Sequence, residues 1–322
     1  MMELLGAMQG WLFEAVVQPM IFHLGFGEFA EEAFEGTEWF LIGLFELAVL
    51  FLILRPLEAW IPVHAITDRR ARWNDFVYTS LHRLGAFPIL VFLLLDPLMD
   101  QVAGLLHLEG VSAFNLENIW PGITDNPLTS FLVYLVVLDL FDYWYHRAEH
   151  HIGWWWGLHS LHHSQQNMNL WSDNRNHVLD DMLRDVYMGV IALAIGVHPG
   201  QYMMLVVASR MLESLSHANV RLHFGAIGER LLVSPRYHRL HHAIGQESTA
   251  REALGAHNFA VLFPIWDILF RTADFGRTFE PTGVRDQLSS AQGAGRNYGT
   301  GFWAQQWLGL KRMIEFTRNK PT

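Results

Sequence analysis

The sequence predicts an all-α fold: an integral membrane helical bundle with a cytoplasmic helical cap carrying a histidine-rich dimetal site. Three observations predict it. Hydrophobic residues make up 51% of the 322 residues, with 13 Trp and 22 Phe, against only 17% charged residues. Apolar runs of membrane-spanning length alternate with short polar loops before residue 146. Thirteen of the 18 histidines fall between His146 and His242, nine of them in one HxxxHH and two HxxHH clusters. Helical spacing of this kind stacks side chains on one face.

Composition excludes several classes. The formal net charge is −10, and the basic run is confined to Arg69-Arg70-Ala-Arg72. A nucleic-acid partner is therefore not expected. With no cysteine there are no disulfides, Cys-ligated iron–sulfur clusters, thiolate haems or Cys-type zinc sites. No cleavable signal peptide is expected: Met1–Gly25 lacks a basic start, and Glu3, Gln9, Glu14 and Gln18 interrupt its apolar residues.

Residues 1–37 form an N-terminal segment without Lys or Arg, acidic at its end through Glu31, Glu32 and Glu35. Its Gln9–His23 part reads equally as a helix lying on the membrane and as an ordinary amphipathic terminal helix. Residues 38–145 are assigned three transmembrane helices. The first, Trp39–Leu54, has Glu46 as its single charge, and its continuation to Trp60 gives about 22 residues, enough to span a bilayer. Arg55-Pro56 marks its interfacial end. The second is Phe76–Leu98, with His82, Arg83 and Pro88 and an apolar core at Leu84–Leu95. The third, Leu128–Tyr145, runs without a breaker into the first histidine cluster. The loop between the first two spans is basic, whereas the N-terminus and the Met99–Asn126 loop lack Lys and Arg. The positive-inside rule then puts the N-terminus away from the cytoplasm and the histidines at the cytoplasmic face.

Residues 146–272 form the cap. After the polar stretch Gln165–Arg184 it contains a helical hairpin over residues 186–215, Val186–Val197 and Tyr202–Leu215, with His198-Pro-Gly-Gln between them. Each arm is ~18–21 Å long if helical. The hairpin either dips into the membrane and returns or packs as two buried core helices. Residues 273–322 are a tail with a peripheral helix, Trp303–Phe316. Gly245, Gly255, Gly283, Gly293 and Gly295 mark turns from Ala243 onward.

On helices, His146 and His150 share one face, as do His159, His162 and His163, and again His238, His241 and His242. These are eight imidazoles, and His217 is the natural ninth. A tetrahedral zinc needs four ligands, so eight or nine indicate two metals, each with an open position. Imidazole suits Fe, Zn, Cu and Ni alike. The position at the end of a membrane span points to a lipid substrate. Attack on an unactivated lipid C–H bond needs a strong oxidant, and hydrolases commonly include carboxylate ligands.

Asp139 and Asp142, one or two turns before His146, are candidates to hold the second nitrogen of a ligand histidine. Pairing with a basic residue at the interface is their structural alternative. His177, Asn219 and His223 are further candidates around the metals, and Asp173, Asn174, Arg175, Asp180 and Asp181 complete a polar patch. His151 points off the ligand face. His23, His64, His82, His107 and His198 read as structural or surface residues, and His257 is assigned no metal. His198-Pro-Gly-Gln alone does not make a haem site. Trp154-Trp155-Trp156 reads as a membrane-interface marker rather than the wall of a lipid pocket.

Five motifs then carry a resemblance over roughly Leu128–Thr272. They are Asp139-Leu-Phe-Asp-Tyr-Trp-Tyr-His146-Arg-Ala-Glu-His150, Trp156-Gly-Leu-His159-Ser-Leu-His162-His163-Ser, His217-Ala-Asn219-Val, Ser234-Pro-Arg-Tyr-His238-Arg-Leu-His241-His242, and Asn258-Phe followed by Trp266-Asp267-Ile-Leu-Phe-Arg-Thr272. In this order they resemble the fatty acid hydroxylase/sterol desaturase superfamily of integral membrane di-iron enzymes. The resemblance implies two Fe ions on the matching histidines, O2 as co-substrate and a separate electron-donor protein. It also implies supporting roles for Tyr143, Trp144 and Asn219. The expected function is O2-dependent hydroxylation, or desaturation, of a lipid C–H bond. The alternatives are a zinc-dependent membrane hydrolase and a non-catalytic metal-binding or transport protein.

Overall fold

The structure, a computed structural model, describes residues 2–85, 115–244, 256–289 and 294–318, with isolated positions between 101 and 108. Among the described residues every regular element is helical. Sheet-type pairing is limited there to two isolated bridges, Pro62 with Val220 and Ala243 with Thr282.

The N-terminal helices α1 (Met2–Leu12) and α2 (Gln18–His23) are joined by a π turn, Phe13–Val17. They fold back on α3 (Ala30–Val49), with Gln9 donating to the Phe34 carbonyl and Phe13 edge-on to Phe34. Helix α3 continues through a π turn, Leu50–Leu54, into α4 (Arg55–Trp60). The helix that carries the first expected span therefore begins earlier than Trp39. Glu31 and Glu32 lie in the first turn of α3, where the helix dipole favours acidic side chains. Helix α5 (Arg69–Arg83) starts at Asp68, whose Oδ1 accepts from the Ala71 N–H. The remainder of the expected second span, including most of Leu84–Leu95, lies outside the described residues, as do His107, Gly245, Gly255 and Gly293.

Helix α6 (Pro127–His151) is the third expected span and the first histidine row in one element. Asn126 caps it, accepting from Leu128 and Thr129, and Pro127 supplies the preset φ of a first helical residue. Gly27–Trp60 and Pro127–His151 are long and apolar enough to cross a membrane, by length and composition. Helix α7 (Gly153–His163) follows at once.

The hairpin arms are longer than expected: α8 (Val178–Ala194) and α9 (Pro199–His217). Helix α8 starts inside the polar stretch because His177 caps it, its Nδ1 accepting from Leu179, and Asp180 and Asp181 suit the positive helix end. Leu135 and Leu138 of α6 share a buried apolar cluster with Ala192 of α8 and Leu205 of α9. The short helices α10 (Gly225–Gly228), α11 (Pro235–His241) and α12 (Ile265–Phe270) complete the central part.

Helix α13 (Phe302–Arg318) covers the tail helix expected over Trp303–Phe316. It lies directly on α7. A Cβ at Gly157 would come within 2.6 Å of the Met313 backbone nitrogen, and Arg312 Nε donates to the Gly157 carbonyl at 3.2 Å. Gly309 meets the His177 ring just as closely. Gly157 permits the approach of α13 to α7, and Gly309 its approach to His177.

Buried charges of α3 and α5 pair with one another and with polar groups of the segment that follows α7. Arg83, fully buried, donates to Glu46 of α3 at 2.9 Å, to Asp173 at 3.1 Å and to Ser214 Oγ of α9 at 2.9 Å. Asp75 of α5 is likewise buried, accepting from Arg175 at 3.0 Å and from Asn169 and Gln165.

Candidate metal centre

Four helices bring the nine clustered histidines together. His146 and His150 sit one turn apart on α6, with ring centroids 5.1 Å apart. The last two turns of α7 present His159, His162 and His163. His217 ends α9, and α11 presents His238 and His241 with His242 just beyond. Helix α11 is fixed by Ser234, whose Oγ caps the Tyr237 N–H, and by Pro235 at its first position.

Two sets result. His146, His150, His159, His163 and His241 form one, and His162, His217, His238 and His242 form the other. Within each set the ligand atoms lie within 4.8 Å of one another. All nine residues are between 1% and 7% exposed.

The outer nitrogens are anchored to groups that can only accept. His146 Nδ1 is 2.8 Å from the Phe259 carbonyl, His241 Nδ1 2.7 Å from the His257 carbonyl, and His217 Nδ1 2.8 Å from the Glu213 carbonyl. Each must therefore be an N–H donor, which leaves Nε2 as a lone pair facing inward. His159 Nδ1 is held by carboxylates instead, 3.3 Å from Glu149 and 3.4 Å from Asp180. Asp180 is itself held by the Trp155 indole N–H at 2.6 Å.

The inward atoms fit metal ions. In the second set His217 Nε2 lies 3.1 Å from His162 Nε2 and 3.0 Å from His238 Nε2, and His242 Nε2 lies 3.1 Å from His238 Nε2. His217 brings a lone pair to this point, and all four Nε2 atoms are close enough for a shared cation to take them as ligands. In the first set the Nε2 atoms of His159 and His241 are buried without a hydrogen-bond partner, a cost that a metal would remove. Neutral imidazole is a ligand for iron, zinc, copper and nickel.

Electrostatics favours neutral donors at His162, His163, His238, His241 and His242, with His159 the exception. Burial first, and neighbouring imidazoles second, push His162, His163, His238 and His242 well below the usual histidine range. Burial takes His241 down to about 3. For His159 burial also opposes the charge, but Glu149 and Asp180 outweigh it and hold the pKa at about 10.

The other candidates are placed elsewhere. Asp139 and Asp142 do not orient a clustered histidine. Asp139 accepts from the Leu262 and Phe263 N–H groups at 2.8 and 3.0 Å, and Asp142 forms a two-pronged pair with Arg184 at 2.9 and 2.5 Å. Their helical positions turn them away from the rows and toward α8 and the 262–263 segment. His177 joins neither set, because its two nitrogens serve Leu179 and the Gln306 carbonyl. His223 is exposed, with Nδ1 accepting from Gly225. Asn219 pairs with the His64 backbone through both side-chain atoms, bracing the chain just after His217. His151 bonds the Arg147 carbonyl, off the ligand face.

The tryptophan triplet also differs from the interfacial reading. Trp155 holds Asp180, and Trp156 is buried with its ring 5.0 Å from His150. Glu149 escaped the sequence reading, although it stands inside His146-Arg-Ala-Glu-His150. Asp267 supports the other side. It accepts from the Phe259 and Ala260 N–H groups, Tyr237 Oη and Thr272 Oγ1. Asn258 takes a left-handed φ of 61° and ties Tyr237 to Asp274. Together they fix the Phe259 carbonyl beneath His146.

Residues 131–272 match the family described as Fatty acid hydroxylase. Human alkylglycerol monooxygenase is 29% identical over 51% of this chain and 33% of that protein. The Caenorhabditis elegans alkylglycerol monooxygenase is 26% identical over 59% of this chain and 38% of its own length. A Delta(7)-sterol 5(6)-desaturase of Gibberella zeae is 31% identical over 35% of each chain. The chain spans about a third of the length of the curated relatives it matches. No solved structure matches it. The matched segment contains Asp139, the first two histidine rows, His217, the third row and the Asn258–Thr272 support. These similarities support a fatty acid hydroxylase/sterol desaturase domain over residues 131–272.

Proposed function

We propose that the chain is an integral, multi-pass membrane oxygenase that hydroxylates or desaturates a C–H bond of a lipid. In this reading the nine histidines hold two irons, O2 is the co-substrate, and a separate protein donates electrons. The metal site faces the cytoplasm. One observation carries the proposal: nine buried imidazoles divide into a set of five and a set of four. The similarity to lipid monooxygenases and a sterol desaturase supports the lipid and the reaction class.

Irons bound there supply the O2-dependent redox chemistry that an unactivated C–H bond requires. The protein's own part is preorganisation. The Phe259, His257 and Glu213 carbonyls fix three imidazoles as Nε2 ligands. Glu149 and Asp180 orient a fourth and hold its outer proton. Trp156 and Phe259, whose rings lie 5.0 and 5.3 Å from His150, shield the site from water.

The test is metal analysis of the purified chain with O2 uptake on reduction, followed by lipidomics of cells with and without the gene. Two irons per chain and a lipid heavier by one oxygen, or lighter by two hydrogens, are expected. Zinc as the native metal, with ester cleavage and no O2 uptake, would overturn the proposal.

A further inference from the structure

A polar cavity of about 300 Å³ lies beside the end of α7, outside both histidine sets. We propose that it is an oxyanion-binding site for a phosphoryl group, carried either by a lipid headgroup or by a free phosphate-type anion.

Three arginines line the cavity: Arg70, Arg175 and Arg296. Arg175 is only 5% exposed, and its Nε is buried without a partner. Its other nitrogens are engaged, Nη1 with Asp75 at 3.0 Å and Nη2 with Ser164 Oγ at 3.2 Å. Arg296 is anchored by Asp286 and Glu315 at 2.9 and 2.7 Å. Arg70 is exposed and forms no ion pair among the described residues.

Two helix beginnings open onto the same space. Asp68 and Ala71 belong to the start of α5, and Thr300 and Gly301 lead into α13. The positive ends of helices 15 and 17 residues long thus converge with the guanidinium groups. Asp68 is the one carboxylate of the lining among the described residues, and its Oδ1 is occupied by the Ala71 N–H at 2.8 Å. The amides of Gln166 and Asn167 add uncharged donors. A cation would find one carboxylate there; an oxyanion finds guanidinium, amide and helix-end donors.

The location gives the site a consequence. Ser164 directly follows His163, and its hydroxyl both receives Arg175 and donates to the Leu161 carbonyl at 2.7 Å. A ligand on Arg175 is thereby connected to the end of the helix that carries His162 and His163. The lipid-headgroup source rests on the function proposed above, whereas the oxyanion site itself does not.

Calorimetric titration of the full chain in detergent tests this with three probes. They are inorganic phosphate, dihexanoyl phosphatidic acid below its micellar concentration, and dihexanoylglycerol as the neutral control. Binding of phosphate or phosphatidic acid, weakened about tenfold or more by Arg70→Glu but not by Arg277→Glu at another exposed arginine, is expected. Tighter binding of phosphatidic acid than of phosphate assigns the lipid headgroup, and equal or tighter binding of phosphate assigns the free anion. The proposal is overturned if neither anion binds, if the two variants behave alike, or if the neutral glycerolipid binds as well as phosphatidic acid. Iron content and O2 uptake are unaffected by these outcomes, so the oxygenase reading stands or falls separately.

Discussion

His217 Nε2 stands 3.1 Å from His162 Nε2, although 55 residues separate them in the chain. The Nδ1 proton of His217 is committed to the Glu213 carbonyl, so its inner nitrogen brings a lone pair to the set. His217→Ala leaves that set with three imidazoles. Metal content should fall from about two to about one per chain, with loss of lipid turnover. Elemental analysis checks this, and His223→Ala, at an exposed position, should retain both metals.

The carboxylates on His159 act through its orientation and its outer proton. Asp180→Asn keeps the shape but removes the charge 3.4 Å from Nδ1. Metal affinity should drop about 10–100-fold, the usual effect of losing such a partner. Competition with a chelator measures it. Asp139→Asn, which alters only the support of the 262–263 segment, should leave metal affinity near wild type.

The charges inside the bundle form a closed system. Arg83→Met removes the partner of Glu46 and Asp173 at a site with no solvent access. The loss of stability should be about 3–5 kcal/mol, as for other broken buried pairs. Thermal unfolding in detergent reads this directly. A change of less than about 1 kcal/mol, the range of an exposed pair, would remove Arg83 from the frame.

Helix α13 can lie on α7 only because residue 157 has no side chain. Gly157→Leu drives a Cβ and more into the Met313 backbone, which cannot rotate away. A destabilisation of about 1–3 kcal/mol or more follows from overpacking. Early proteolytic cleavage before α13 should accompany the lowered melting temperature.

Acid should destabilise the metal-free protein. Burial, then Arg239, lowers His64 to about 4, and burial lowers His241 to about 3. Both lie below the unfolded value of about 6.5, so the unfolded chain takes up more protons as pH falls. Their contribution is complete above about pH 6.5 and is lost as pH falls toward those values. His159 has the opposite sign. At about 10, its contribution is present below the unfolded value and is lost as pH rises through 10. The melting temperature should therefore decline between about pH 6.5 and 4, and His64→Asn should flatten part of that slope. A slope unchanged in the variant assigns it to other groups.

The histidine rows were legible because helical spacing converts directly into faces, and metal binding demands one residue type at those positions. The helix over Pro127–His151, running from an apolar stretch into the first row, was legible for the same reason, as an uninterrupted apolar run. The partners of the rows were harder to read. Asp139 and Asp142 precede His146 in sequence, yet helix rotation sends them to Leu262 and Arg184. Glu149 and Asp180 reach His159 only through the packing of α6, α7 and α8. Three anchors are backbone carbonyls, which carry no residue signature. Likewise, a glycine in a histidine helix gave no sign that a distant tail helix would rest on it.

That contact between α7 and α13 sets an order on the making of the protein. Ribosomal synthesis completes the last histidine of the centre, His242, before it reaches Phe302, where α13 begins. Until that final helix has emerged and settled on Gly157, the helix bearing His159, His162 and His163 lacks the neighbour it packs against at Gly157. A fully braced histidine centre is thus complete only late in biogenesis, after the chain has folded back on itself.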